Sequence, residues 1–153
     1  MNTWTRRAEV IQSSPLLAIT PISAVPPHGH FVFNEMTIIT RESVSGEALG
    51  RICRIAPTLS HYELKDPSEA IDLDDMARIL RVRSPFAINK KLPVVELTLT
   101  DEGLLMICPM VRNGQGKKPA TEHQVLLSTS CSNEEIAALV RRSLEISAAS
   151  LAS

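Results

Sequence analysis

Residues 92–109 read LPVVELTLT-DEG-LLMICP. Two apolar runs, the first carrying Val94, Val95, Thr98 and Thr100, flank Asp101-Glu102-Gly103. This predicts a β-hairpin, with the glycine available for a positive φ. It is the clearest strand pair in the chain, and a sheet with one apolar face must be covered by other elements.

The rest of the chain supplies candidates for both. Residues 1–14 are polar with one tryptophan and read as a frayed end or a strand start. Leu16–Ile22 is apolar but contains Pro21, which cannot donate a ladder hydrogen bond and so predicts an edge strand. Residues 24–30 (AVPPHGH) read as a turn, and 31–40 (FVFNEMTIIT) as a strand. Ser45 is placed to cap a helix with Leu49, Ile52, Cys53 and Ala56 on one face and Pro57 near its end. Residues 62–75 form an acidic loop that leads into a short helix (DLDDMARILRV), with Asp72 or Asp74 at its positive end. After the hairpin, 112–121 (RNGQGKKPAT) reads as a basic loop and 123–129 as a further strand. Ser132 then caps a last helix with Glu134 and Glu135 in its first turn and Ile136, Leu139, Val140 and Leu144 as its buried stripe.

These elements predict an α+β fold: a central, mostly antiparallel sheet of about five strands carrying two or three helices. The 153 residues suffice for one domain whose core forms without metals or disulfides. Residues 1–30 are expected to pack on or lead into it, and 31–153 to form its body. With aromatic residues at 3 %, the core must be aliphatic, and few rings remain to stack on bases. The net charge of −1 leaves no basic footprint for nucleic acid. Cys53, Cys108 and Cys131 are an odd, sparse set without a CxxC pair, which fits reduced thiols in the cytoplasm rather than a disulfide framework. No segment reads as a secretory signal or a bilayer-spanning helix.

Two segments echo each other. Residues 36–56 (MTIITRESVSGEALGRICRIA) and 123–143 (HQVLLSTSCSNEEIAALVRRS) align without gaps. Ser43 meets Ser130, Ser45 meets Ser132, Glu47 meets Glu134 and Arg54 meets Arg141. Each is strand, short loop, capped helix. Either a repeat or convergence on a common strand–helix grammar accounts for them.

Three stretches, MARILRVRSPF (76–86), VVELTLTDEGLLMICPMVR (94–112) and VLLSTSCSNEEIAALVRRSLEIS (125–147), together with the Leu49-Gly50 pair in the first capped helix, resemble the immunity proteins of bacterial contact-dependent growth inhibition systems. The resemblance spans residues 36–147. The chain departs from the family pattern at Ile136-Ala137, where Leu/Ile-Gly is frequent. The resemblance implies a cytoplasmic protein that binds the C-terminal toxin domain of a large effector about one to one, often a nuclease, and blocks it. Nucleic acid, membrane and cofactor play no part in that role. A small secretion chaperone that binds an effector segment is the alternative.

The toxin-facing surface is placed on the densest run of carboxylates, Glu63, Asp66, Glu69, Asp72, Asp74 and Asp75, which would steer a basic partner. A solvated loop with helix-start carboxylates is the competing reading. The catalytic and metal motifs are all partial. His28-Gly29-His30 offers two imidazoles where zinc needs three or four ligands. Gly114-Gln115-Gly116-Lys117-Lys118 lacks the first glycine and the Ser/Thr of a phosphate loop. Cys53 and Cys108 read as core, and Cys131 precedes a helix N-terminus, where thiol pKa can fall. An enzyme is not expected; one would require His28, His30, His61 or His123 to meet a cysteine or carboxylate in space.

Overall fold

A computed structural model describes residues 5–25, 30–33, 36–60 and 72–152, with backbone only at 24–25 and 30–33. Its core is one antiparallel sheet. β1 (Arg6–Ser13) turns through a cis Ser14-Pro15 bond into β2 (Leu16–Val25). β3 (His30–Phe33) and β4 (Ile38–Arg41) both pair with β2. Then come α1 (Gly46–Ile55), a 3-10 turn (Ala56–Leu59), α2 (Leu73–Ile79) and α3 (Pro85–Lys91). The predicted hairpin follows as β5 (Val94–Leu99) and β6 (Leu105–Asn113), with Gly103 at φ 83°. β7 (Gly116–Pro119), a 3-10 turn (Thr121–His123), β8 (Val125–Leu127) and α4 (Asn133–Leu151) complete the chain.

The α+β architecture is as the sequence predicts, but the described residues form a sheet of eight strands and four α-helices. The strands run β3-β2-β1-β5-β6-β7, with β4 also on β2 and β8 also on β6. The polar N-terminal segment is therefore an inner strand, because β1 pairs with both β2 and β5. The Pro21 strand is internal as well, not an edge. On its outer flank β4 pairs with residues 16–19 and β3 with 22–25. The proline falls at the joint between two partners, where a missing N–H breaks neither short ladder. The residues read as one strand over 31–40 are split between β3 and β4. The expected basic loop is a hairpin, with Gly114 at φ 62° turning β6 into β7. Helix α3 was not foreseen. It begins with Ser84 accepting from the Ala87 amide and Pro85 in its first turn, a start signal hidden among basic residues.

The echo in the sequence is a repeat in the structure, and it reaches further than the aligned segments. β1-β2-β3-β4-α1 is matched by β5-β6-β7-β8-α4 in order and in pairing. Glu9 lies opposite its own counterpart, Glu96, so a pseudo-twofold axis passes between them. Pro109 sits in β6 as Pro21 sits in β2, between the residues paired with β8 and those paired with β7. The hydrogen bonds repeat too. Ser60 Oγ donates to the Ile22 carbonyl, and Ser147 Oγ donates to the Met110 carbonyl at 2.6 Å. Arg54 reaches the Cys131 carbonyl at 2.6 Å, just before the α4 cap, and Arg141 reaches the Val44 carbonyl at 2.5 Å, just before the α1 cap. Ser45 and Ser132 accept from the Ala48 and Glu135 amides, both at 3.1 Å.

Strand alternation divides the side chains between two faces. Ala8, Val10, Leu17, Ile19, Val95, Leu97, Leu105 and Ile107 meet Leu49, Cys53, Ile136, Val140 and Leu144 of α1 and α4 in the main core. On the other face Ile11, Ala18 and Val94 meet Met76, Ala77, Leu80, Ile88 and Leu92 in a smaller cluster. No helix among the described residues is long and apolar enough to cross a membrane.

Where α1 and α4 cross, a methyl on Gly50 would fall 1.9 Å from the Asn133 carbonyl oxygen, and one on Gly46 would meet Ala137 Cβ at 3.8 Å. The first contact is with backbone and cannot yield by a rotamer change. Gly50→Ala is therefore expected to destabilise by roughly 3 kcal/mol, the upper end of overpacking effects. Gly46→Ala should lie between neutral and a gain of about 1 kcal/mol from helix propensity. Urea denaturation of the two variants checks the contrast.

Candidate functional site

The alternation that builds the core leaves Arg7, Glu9 and Ile11 on the second face of β1. Val94 and Glu96 lie there on β5. In register across the sheet run Thr20, Glu9, Glu96 and Cys108. Over this row opens a cavity of about 320 Å³. Its floor is Arg7, Glu9 and Glu96, and its walls are Ile11, Ile22 and Val94 from the sheet, Pro85, Ile88 and Asn89 from α3, and Leu73 from α2. The cavity lies on the pseudo-twofold axis. It is asymmetric because α2 and α3 follow the first half of the repeat and are not matched among the described residues of the second.

The floor is electrostatically unequal. An Arg7 nitrogen lies 3.9 Å from the Glu96 carboxylate. Glu9 makes no hydrogen bond to any described residue. Burial, and next the charge of Glu96, push its pKa up to about 7, against the pull of Arg7 and Lys117. Lys117 comes from β7, and its ammonium donates to the Asn89 carbonyl. Burial moves the Lys117 pKa down, with Glu9 opposing. Burial and then Glu96 raise the Cys108 thiol.

The sequence-named candidates fall elsewhere or serve the scaffold. Glu63, Asp66 and Glu69 lie outside the described residues. Asp72 caps α2, its Oδ1 accepting from the Asp74 amide at 2.7 Å and the Asp75 amide at 3.3 Å. Asp75 pairs with Arg78 at 3.0 Å. Asp74 is exposed, and this acidic helix start adjoins the cleft through Leu73. His28, Gly29 and His61 lie outside the described residues, as does the side chain of His30. His123 ends a 3-10 turn and lines a separate hollow with Glu122 and Arg142. Among the described residues, no group of three or more His, Cys, Asp or Glu could hold a metal ion. Cys53 is buried, with its thiol pushed up to about 12 by that burial, and Cys108 is buried as expected. Gly114–Lys118 is a hairpin turn and strand. Arg7, Glu9 and Glu96 are not among the residues that the sequence singles out. The available signal was a carboxylate inside each of two strand-forming runs, AEVI and VVEL, on the face opposite the apolar neighbours.

Glu9 also predicts a pH dependence. Its folded pKa lies above the unfolded value of 4.5. The stability linked to this group is fully present below pH 4.5 and is lost as pH rises through about 7. Glu9→Gln is thus expected to be more stable than the native chain at pH 8, by at most about 3 kcal/mol, with the gap closing toward pH 4.5. Thermal melts across that range measure it. A gap that does not change with pH would contradict the assignment.

No protein-family model matches the chain. Nor does any curated protein. Among solved structures, the fold is similar to that of a protein of unknown function from Neisseria meningitidis, with a TM-score of 0.70 and 19 % identity over 95 % of this chain and 99 % of that one. It is also similar to a chain of the CdiA-CT/CdiI toxin and immunity complex from Yersinia pseudotuberculosis, with a TM-score of 0.69 and 14 % identity over 94 % of this chain and 97 % of that one.

Proposed function

We propose that this chain is an immunity protein: in the cytoplasm of a bacterium, it binds and neutralises the toxin domain of a contact-dependent growth inhibition effector, most simply a nuclease. The observation that carries the reading is the near full-length likeness to a chain of a toxin–immunity complex. The resemblance of residues 36–147 to that class of immunity protein supports it from the sequence side. The two capped helices are scaffold in this reading, since their caps, Arg54 and Arg141, and their apolar stripes are engaged within the fold. Recognition falls to acidic surface: Glu63, Asp66, Glu69, Asp72, Asp74 and Asp75, with the carboxyl-floored cleft beside Leu73. Binding, not catalysis, is the role assigned to these groups.

Co-expression with the C-terminal domain of a large effector encoded by a neighbouring gene tests the proposal. A one-to-one complex of two folded domains, with growth restored, is the expected result. Charge reversal at Glu63, Asp66 and Glu69 should slow association by roughly tenfold or more at low salt and weaken protection, because steering acts mainly on the on-rate. Unchanged affinity would remove that surface from the site. A dimer that binds only an extended segment would favour the secretion-chaperone reading, and no binding to the neighbouring product would sink the immunity role.

A further inference from the structure

We infer that the cleft between the sheet and α3 is a subsite for a cation on an apolar stem, an alkyl-ammonium or alkyl-guanidinium group. The inference deepens the immunity reading by naming what the partner would insert.

Three features of the cleft lead there. The first is size: about 320 Å³ is at the small end for a ligand pocket and suits a single long side chain. The second is the wall, where Ile11, Ile88 and Val94 face the space and favour a hydrocarbon stem. The third is the floor. Two carboxyl groups stand directly opposite in the β1–β5 ladder, an arrangement that is unfavourable between like charges. Arg7 approaches Glu96, while the Lys117 ammonium is held by the Asn89 carbonyl and acts on Glu9 only through space. Glu9 lines the cavity with no hydrogen bond to a described residue. An anion would be repelled there. A metal would find two carboxylates and no third ligand group among the described residues. A monovalent cation with several donors would supply Glu9 with its missing partner and relieve the repulsion across the axis.

Binding of this kind would displace a proton. The groups facing Glu9 are Arg7 on its own strand, Glu96 on β5 and Lys117 on β7, and together with burial they hold it half protonated near neutrality. A guanidinium stays charged throughout this range, so its affinity should rise roughly tenfold from pH 6 to pH 8.

The test is titration of the full chain with n-butylguanidinium and n-pentylammonium chloride, followed by NMR shifts, with n-pentanol as the neutral control. Saturable binding of both cations, no comparable binding of the alcohol, and weakening of at least tenfold in Glu9→Gln are expected. Glu102→Gln, exposed in the turn between β5 and β6 and outside the cleft, should leave binding unchanged. Glu96→Gln serves as the second variant should Glu9→Gln not fold. Equal binding of the alcohol, absence of saturation, or indifference to both substitutions would overturn the inference. The source of the cation is read from the complex with the toxic domain. Weakening by Glu9→Gln together with competition by n-butylguanidinium identifies a basic side chain of the partner. An unaffected complex beside carboxylate-dependent cation binding identifies a free amine. If the native chain binds no toxic domain, the immunity reading fails, while the cation titration still decides the cleft.

Discussion

The antiparallel ladder between β1 and β5 joins the two halves of this protein, and the remaining architecture depends on its register. Setting Glu9 opposite Glu96 places each half's second strand outward, so that β2 and β6 carry the remaining strands on their outer flanks. It also brings α1 and α4 together over the same face, where they share one core. A slip of one residue would turn Ala8, Val10, Val95 and Leu97 out of that core and bring charged groups in. The helices secure the register from above. Their crossing is close enough that only glycine fits at position 50, and each helix's arginine bonds the backbone that leads into the other.

The same constraint creates the cleft. Strand alternation cannot bury Ala8 and Val10 against the helices without sending Arg7, Glu9 and Ile11 to the opposite face. Between antiparallel strands, only the residue on a twofold axis faces its own counterpart, and here that residue is a glutamate in each strand. In a symmetric molecule both faces of the axis would be alike. Here α2 and α3 follow only the first half and roof one side, converting a charged stripe into a walled pocket. The repeat provides the chemistry, and the unmatched helices provide the enclosure.

The two layers on the sheet use their charged groups differently. In the main-core helices Ser45 and Ser132 supply the caps, and Arg54 and Arg141 bond backbone within the fold. On the other layer Asp72 caps α2 and Glu9 lines the cavity, while Arg78, Lys90 and Lys91 lie on the same two helices.

The sequence alone determined the elements whose signals are local. The hairpin over 92–109 is set by alternation and Gly103, both capped helices by Ser45 and Ser132 with their apolar stripes, and the buried state of Cys53 and Cys108 by apolar neighbours. It also carried the strand–helix echo, because strand, cap and stripe recur in the same order. Only the tertiary structure decided that β1 is an inner strand, since Arg6–Ser13 reads as polar until two neighbours satisfy its backbone. It alone showed that Pro21 and Pro109 lie at joints between partner strands, where the absent N–H breaks no ladder. The Glu9–Glu96 pair depends on a cross-strand register between residues far apart in the chain, and nothing local encodes that distance. The candidate site was hidden for the same reason: its two carboxylates become neighbours only when the two halves of the repeat meet.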